Sequence, residues 1–169
     1  MSAVERQPMA AVNAPSGRPG GWAMVAAWLP LALWLGVIFW LSGDQFSDEQ
    51  TAEWLTSLPW LAALRLPPAA IELANLIVRK SAHFVEYAVL SMLAYRAVGA
   101  SRPAWSRRAV LLAAVALAVA CATVDELHQA TTLTRTGSPK DVVIDSLGAF
   151  AGALSGAALL YRWTRRRRA

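Results

Sequence analysis

Three polar groups interrupt segments that are otherwise oily: Arg79, Lys80, His83, Glu86 and Tyr87; then Asp125, Glu126, His128 and Gln129; then Ser138, Asp141 and Asp145. An imidazole among carboxylates can move protons, because a carboxylate fixes the ring tautomer and the ring titrates near neutrality. His83 is the candidate acid or base, with Glu86 or Asp125 to orient it. The cations suit a different task. Arg79, Lys80, Arg135 and Lys140 form a positive set fit for a phosphate, carboxylate or other anionic headgroup. In that reading Arg79, Lys80 and Arg135 contact the anion, while Asp125, Gln129, Asp141 and Asp145 orient the cations or meet polar parts of the ligand, with Tyr87, Glu126 and Ser138 beside them. The histidines and acids match no familiar zinc spacing, so neither a metal nor another cofactor is expected. No serine or cysteine stands in a nucleophile motif. A structural reading competes with both: Arg79, Lys80 and Arg135 paired with Glu86, Asp125, Asp141 and Asp145 as buried ion pairs that fix helix register.

At about 100° per residue, each group falls on one side of a helix. Arg79, His83, Glu86 and Leu90 share an arc with Lys80 and Tyr87 at its edge. Ala118, Ala122, Asp125 and Gln129 share another, with His128 beside it and Glu126 further round. Asp141, Asp145, Gly148 and Gly152 share a third, and Gly156 extends the four-residue glycine ladder that admits a close neighbour helix.

The carriers of these stripes are membrane segments. The chain is 56% hydrophobic and 16% charged, well under the roughly 25% charged of soluble domains. Four apolar stretches, Trp22 to Leu41, Leu76 to Gly99, Ala109 to Thr132 and Val142 to Tyr161, each reach the roughly 20 residues a helix needs to cross a bilayer. A soluble bundle would need a polar outer face that Ala109 to Val124 lacks. The first stretch runs into Leu41, Ser42, Gly43 and Asp44 without a cleavage pattern, so it reads as a retained span. Cys121 lies mid-span and reads as a packing residue.

Charge gives the orientation. The net charge is +5, and arginines crowd the leader, the loop after the second span and the tail at Arg165 to Arg168. Position makes this a topology signal rather than a nucleic-acid surface, since basic residues gather in cytoplasmic loops. Both termini are expected in the cytoplasm, which puts all three polar groups at or just below the external surface. Residues 1–21 read as a disordered cytoplasmic leader, 22–163 as the transmembrane domain and 164–169 as a basic cytoplasmic tail. The first external loop, Ser42 to Asn75, carries Asp44, Asp48, Glu49 and Glu53 and then Trp54, Pro59, Trp60, Pro67 and Pro68. Prolines bar one continuous helix there, so short interfacial helical pieces are expected to cap the bundle.

These readings give an all-α polytopic membrane protein, a bundle of four transmembrane helices with a short interfacial helical segment, and an outward-facing polar pocket built from the last three spans. Membrane lipids are its expected partners, with an anionic lipid or cell-wall precursor as ligand. A membrane enzyme acting on phosphate or acyl linkages of envelope lipids is the alternative.

The segments RKSAHFVEYAVLSMLAYRA and VDELHQATTLTRTGSPKDVVIDSLGAFAGAL, with LSGDQ after the first span, resemble the VanZ-like membrane proteins. The matching positions are Lys80, His83, Phe84 and Tyr87; Asp125, Glu126 and Gln129; and Arg135, Ser138, Asp141, Asp145 and Gly148. Asp44 follows Gly43 where the family often has a second serine before glutamine. The resemblance implies a small multi-pass protein of the bacterial cytoplasmic membrane. It also links the chain, through the family alone, to the cell envelope and to glycopeptide sensitivity.

Overall fold

The computed structural model describes residues 20–43, 46–131 and 137–167. All regular structure among them is helical: α1 (Gly21–Leu41), α2 (Asp48–Ser57), α3 (Pro59–Ala63), α4 (Pro68–Ser101), α5 (Arg107–Gln129) and α6 (Pro139–Arg166). Residues 1–19 of the leader, the Asp44–Gln45 part of the LSGDQ segment and the Arg135 position lie outside the described residues.

Local chemistry starts each helix where it does. Ser47, Ser106 and Ser138 cap α2, α5 and α6, accepting from the backbone N–H of Gln50, Ala109 and Lys140. Pro59, Pro68 and Pro139 open α3, α4 and α6, where a fixed φ is pre-organised for the first turn and the missing N–H costs nothing. This changes one sequence boundary. The helix expected from Leu76 begins at Pro68, so the first long loop is shorter by about two helical turns. Alanine, leucine and glutamate after Pro68 are strong helix formers, and the apolar count alone does not register them. The rest of that loop holds two short helices, with Arg65 in the left-handed region (φ 46°) where the chain turns toward α4.

Three helices, α1, α5 and α6, are long and apolar enough to cross a membrane. α4 is the longest of all, and its polar residues keep it from meeting the same standard of apolarity. Large apolar side chains such as Leu112, Val124, Leu147 and Phe150 point outward, while alanines fill the interior at Ala94, Ala114, Ala118, Ala122, Ala149 and Ala153. That inversion suits lipid, which gives helices no hydrophobic reason to associate and leaves close packing of small residues to hold them.

The tightest packing is between α4 and α6. A Cβ added at Gly148 would collide with the backbone of Phe84, and one at Gly152 with the backbone of Ala88; at Gly156 it would meet Met92 at 3.3 Å. Successive glycines thus seat α6 directly on the α4 main chain. α1 is held differently, by separate polar bonds: Trp28 Nε1 donates to Ser101 Oγ (2.8 Å), and Trp34 Nε1 donates to the Glu86 carbonyl (2.9 Å).

The Gly152→Leu variant is expected to force α4 and α6 apart and lower stability by roughly 1–3 kcal/mol, the range of an overpacked core. Thermal unfolding in detergent micelles measures this, with Leu154→Ala on the outward face as the comparison that leaves the melting temperature nearly unchanged.

Candidate functional site

The glycine contact sets the position of the polar residues. With Gly148 against Phe84, Asp145 lies one turn nearer the end of the bundle, beside His83 of α4. His83 Nδ1 stands 3.3 Å from Asp145 Oδ1, an ion-pair separation. Asp145 has no exposed surface and His83 is 6% exposed. The carboxylate beside the imidazole is therefore Asp145, whereas the sequence reading placed Glu86 or Asp125 there. Glu86 lines the same cavity as His83, and Asp125 is engaged elsewhere.

Asp125 is satisfied by two neighbours. Ser42, just past the end of α1, donates its hydroxyl to Asp125 Oδ1 (2.5 Å), and Gln129 Nε2 donates to Asp125 Oδ2 (3.1 Å) across one turn of α5. Glu126 shares this buried face, with its Oε2 accepting from the Ser138 backbone N–H (2.6 Å). That bond ties the start of α6 to the end of α5, so Glu126 belongs to the interior rather than further round the helix. Gly137 belongs to the same junction, because an added Cβ there would collide with the Glu126 carbonyl. Lys80 pairs with Asp141 in the first turn of α6. Arg79 pairs with Asp48 at the start of α2.

Beyond the His83–Asp145 pair, several buried polar atoms have no hydrogen-bond partner among the described residues, including Tyr87 Oη, Glu126 Oε1 and Asp145 Oδ2. In a low-dielectric interior such atoms are costly, and each calls for an explanation. One ligating atom from each of His83, Glu126 and Asp141 lies within 4.8 Å of the others. His128 stands aside from the cluster and packs against the Phe39 ring, with centroids 5.1 Å apart.

The open space lies elsewhere. A cavity of about 490 Å³ is bounded by the end of α1, by α2 and by α4, not by the last three helices as the sequence suggested. The close seat of α6 on α4 packs that side, whereas α2 bridges a gap beside the end of α1. Leu41, Phe46, Trp54 and Val78 form apolar walls, and Arg79 and His83 stand at the polar side with Glu86. His83 thus borders both the cavity and the carboxylate cluster. Asn75 Nδ2 donates to the Asp48 carbonyl (3.0 Å), a second tie holding α2 over α4.

Sequence spacing anticipated that α4, α5 and α6 would bring polar faces together, and Lys80 with Asp141 is one of its ion pairs. Two partners were missed. Ser42 sits in the LSGDQ segment without an assigned role, and Asp48 is one of several acids in a loop, where nothing local singles it out. The capping Ser47 beside Asp48 was the available signal, since it marks a helix start that would give that acid a fixed place.

Comparison with known proteins adds one finding. The family model described as VanZ/LLP1 matches residues 27–162, which include every described residue of this site. No curated protein and no solved structure gives a significant match to the chain.

Replacing Lys80 by Met is expected to strand the buried Asp141 carboxylate and cost roughly 1.5–3 kcal/mol, the range for a lost charged hydrogen bond. Lys80→Met with Asp141→Asn should recover part of that loss. Denaturation of the two variants and of Asp141→Asn alone, in one detergent, completes the cycle.

Proposed function

The chain belongs to the VanZ/LLP1 family, and on that premise we propose that it binds an amphiphile with an anionic headgroup, a membrane lipid or cell-envelope precursor, in the cavity beneath α2. In this reading four helices, α1, α4, α5 and α6, cross the bacterial cytoplasmic membrane with α2 and α3 at the outer interface. Both termini are cytoplasmic, and the cavity opens to the outer leaflet. The arginine-rich ends of α5 and α6 support that orientation, since basic residues collect on the cytoplasmic side.

The observation that carries the proposal is the cavity's chemistry. Apolar walls from Leu41, Phe46, Trp54 and Val78 suit an acyl or prenyl chain, and Arg79 at the polar side suits a phosphate or carboxylate. Arg79 already holds such a group. The Asp48 carboxylate sits on it, and most of the Asp48 side chain is exposed whereas most of Arg79 is buried. An exposed acid on a short cap helix is exchangeable. A ligand anion takes the Asp48 position, and the cap helix gives way.

A second reading rests on the His83–Asp145 pair at the cavity edge. An imidazole oriented by a carboxylate is equipped for proton transfer to a bound phosphate or acyl linkage. The carboxylate assigned to it in this reading is now Asp145.

Native mass spectrometry of protein extracted from its own membrane tests both. Arg79→Ala is expected to reduce retained anionic lipid about tenfold, the loss of one charge-assisted contact, and Asp48→Asn to increase it. Equal lipid retention in wild type and both variants would refute the binding site. His83→Gln separates the readings: retained lipid with turnover abolished identifies an enzyme, and unchanged turnover removes His83 from chemistry.

A further inference from the structure

We propose that His83, Glu126 and Asp141 bind a divalent first-row cation, of the kind Zn²⁺ and Mn²⁺ represent, inside the junction of α4, α5 and α6. The three residues come from three different helices, and one ligating atom of each lies within 4.8 Å of the others. All three are buried. Two ligands about 2.1 Å from a tetrahedral ion stand roughly 3.4 Å apart, so rotation of the long Glu126 side chain closes the set. One imidazole with carboxylates is a donor set such cations accept.

Two further observations point to a cation. Glu126 is 5% exposed and Asp145 is not exposed at all, yet Glu126 Oε1 and Asp145 Oδ2 lack a hydrogen-bond partner among the described residues. His83 Nδ1 faces Asp145 Oδ1 at 3.3 Å, which leaves its Nε2 as the ligating nitrogen. The imidazole of His83 is thus held by Asp145 on one side and lies among the Glu126 and Asp141 carboxylates. The other bonds in the cluster leave one oxygen of each proposed ligating carboxylate available. Glu126 uses Oε2 for the Ser138 N–H, and Lys80 engages Asp141 through Oδ1, leaving its second oxygen.

Charge gives the same result. Asp125, Glu126, Asp141 and Asp145 are all buried, and the basic groups paired with them are Lys80, on Asp141, and His83, on Asp145. A buried carboxylate in a membrane interior has to be paired, coordinate a metal or take up a proton. A divalent ion supplies two positive charges at the centre of the group, with Asp145 beside the imidazole as the carboxylate that holds a ligating histidine in place. No zinc spacing appears along the chain because the ligands lie on separate helices, 43 and 15 positions apart.

The inference goes beyond the amphiphile reading and is measured with no lipid added, so either can fail alone. Full-length protein in detergent is treated with a chelator, exchanged into clean buffer and titrated with Zn²⁺ and with Mn²⁺ in a calorimeter. The expected result is one ion per chain, weakened at least tenfold by Glu126→Gln and by His83→Gln and unchanged by His128→Gln. No binding to the wild type overturns the site, as does binding that survives both substitutions or that is lost in His128→Gln. X-ray absorption at the zinc edge of the wild type needs no variant: a first shell of nitrogen and oxygen that includes an imidazole supports the site, and a shell with sulfur or without imidazole overturns it.

Discussion

The polar interior of this protein depends on how closely α6 approaches α4. Gly148 and Gly152 let the α6 backbone rest against the main chain of Phe84 and Ala88, and no side chain larger than hydrogen fits between them. In lipid, where apolar surface gains little by being covered, this close contact is the attraction that holds the two helices. It also fixes their register. Asp145 is three residues before Gly148, one turn along α6, and His83 immediately precedes Phe84 on α4. Any packing that keeps the glycine contact therefore brings the carboxylate to the imidazole.

Around that pair the remaining polar bonds work outward. Glu126 binds the N-terminus of α6 through Ser138, Asp125 binds the end of α1 through Ser42, and Lys80 closes on Asp141. Each bond joins a different pair of elements. The cluster is thus both a structural knot and a concentration of charge. Buried ion pairs contribute little net stability because desolvation offsets their attraction. The knot serves to fix one arrangement, and the buried oxygens left over give it chemical capacity.

Much of this was legible in the sequence, and the reason is periodicity. A helix repeats every 3.6 residues, so Arg79, His83 and Glu86, or Asp141, Asp145 and Gly148, declare a shared face by spacing alone. What spacing cannot give is the rotation of one helix against another. That is why Glu126 was placed away from the cluster it joins, and why the imidazole's partner was sought on α4 or α5 rather than α6. The cavity was misplaced for a related reason. Its walls come from α2 and the end of α1, and a ten-residue helix with mixed polarity carries no strong periodic signal of where it docks.

α1 is tied on by scattered hydrogen bonds: two indoles along its length, the Arg96 guanidinium donating to the Ala26 carbonyl, and Ser42 just beyond its end. Most of its length faces outward, with Trp22, Leu29, Leu33 and Phe39 all exposed. Its inner face is fixed by these bonds and by the buried Ala27, Leu31 and Ile38, and its outer face is not. Natural variation on the outward face of α1 is therefore free to follow the thickness and composition of the surrounding bilayer, provided the buried side chains, the two tryptophans and the serine keep their places.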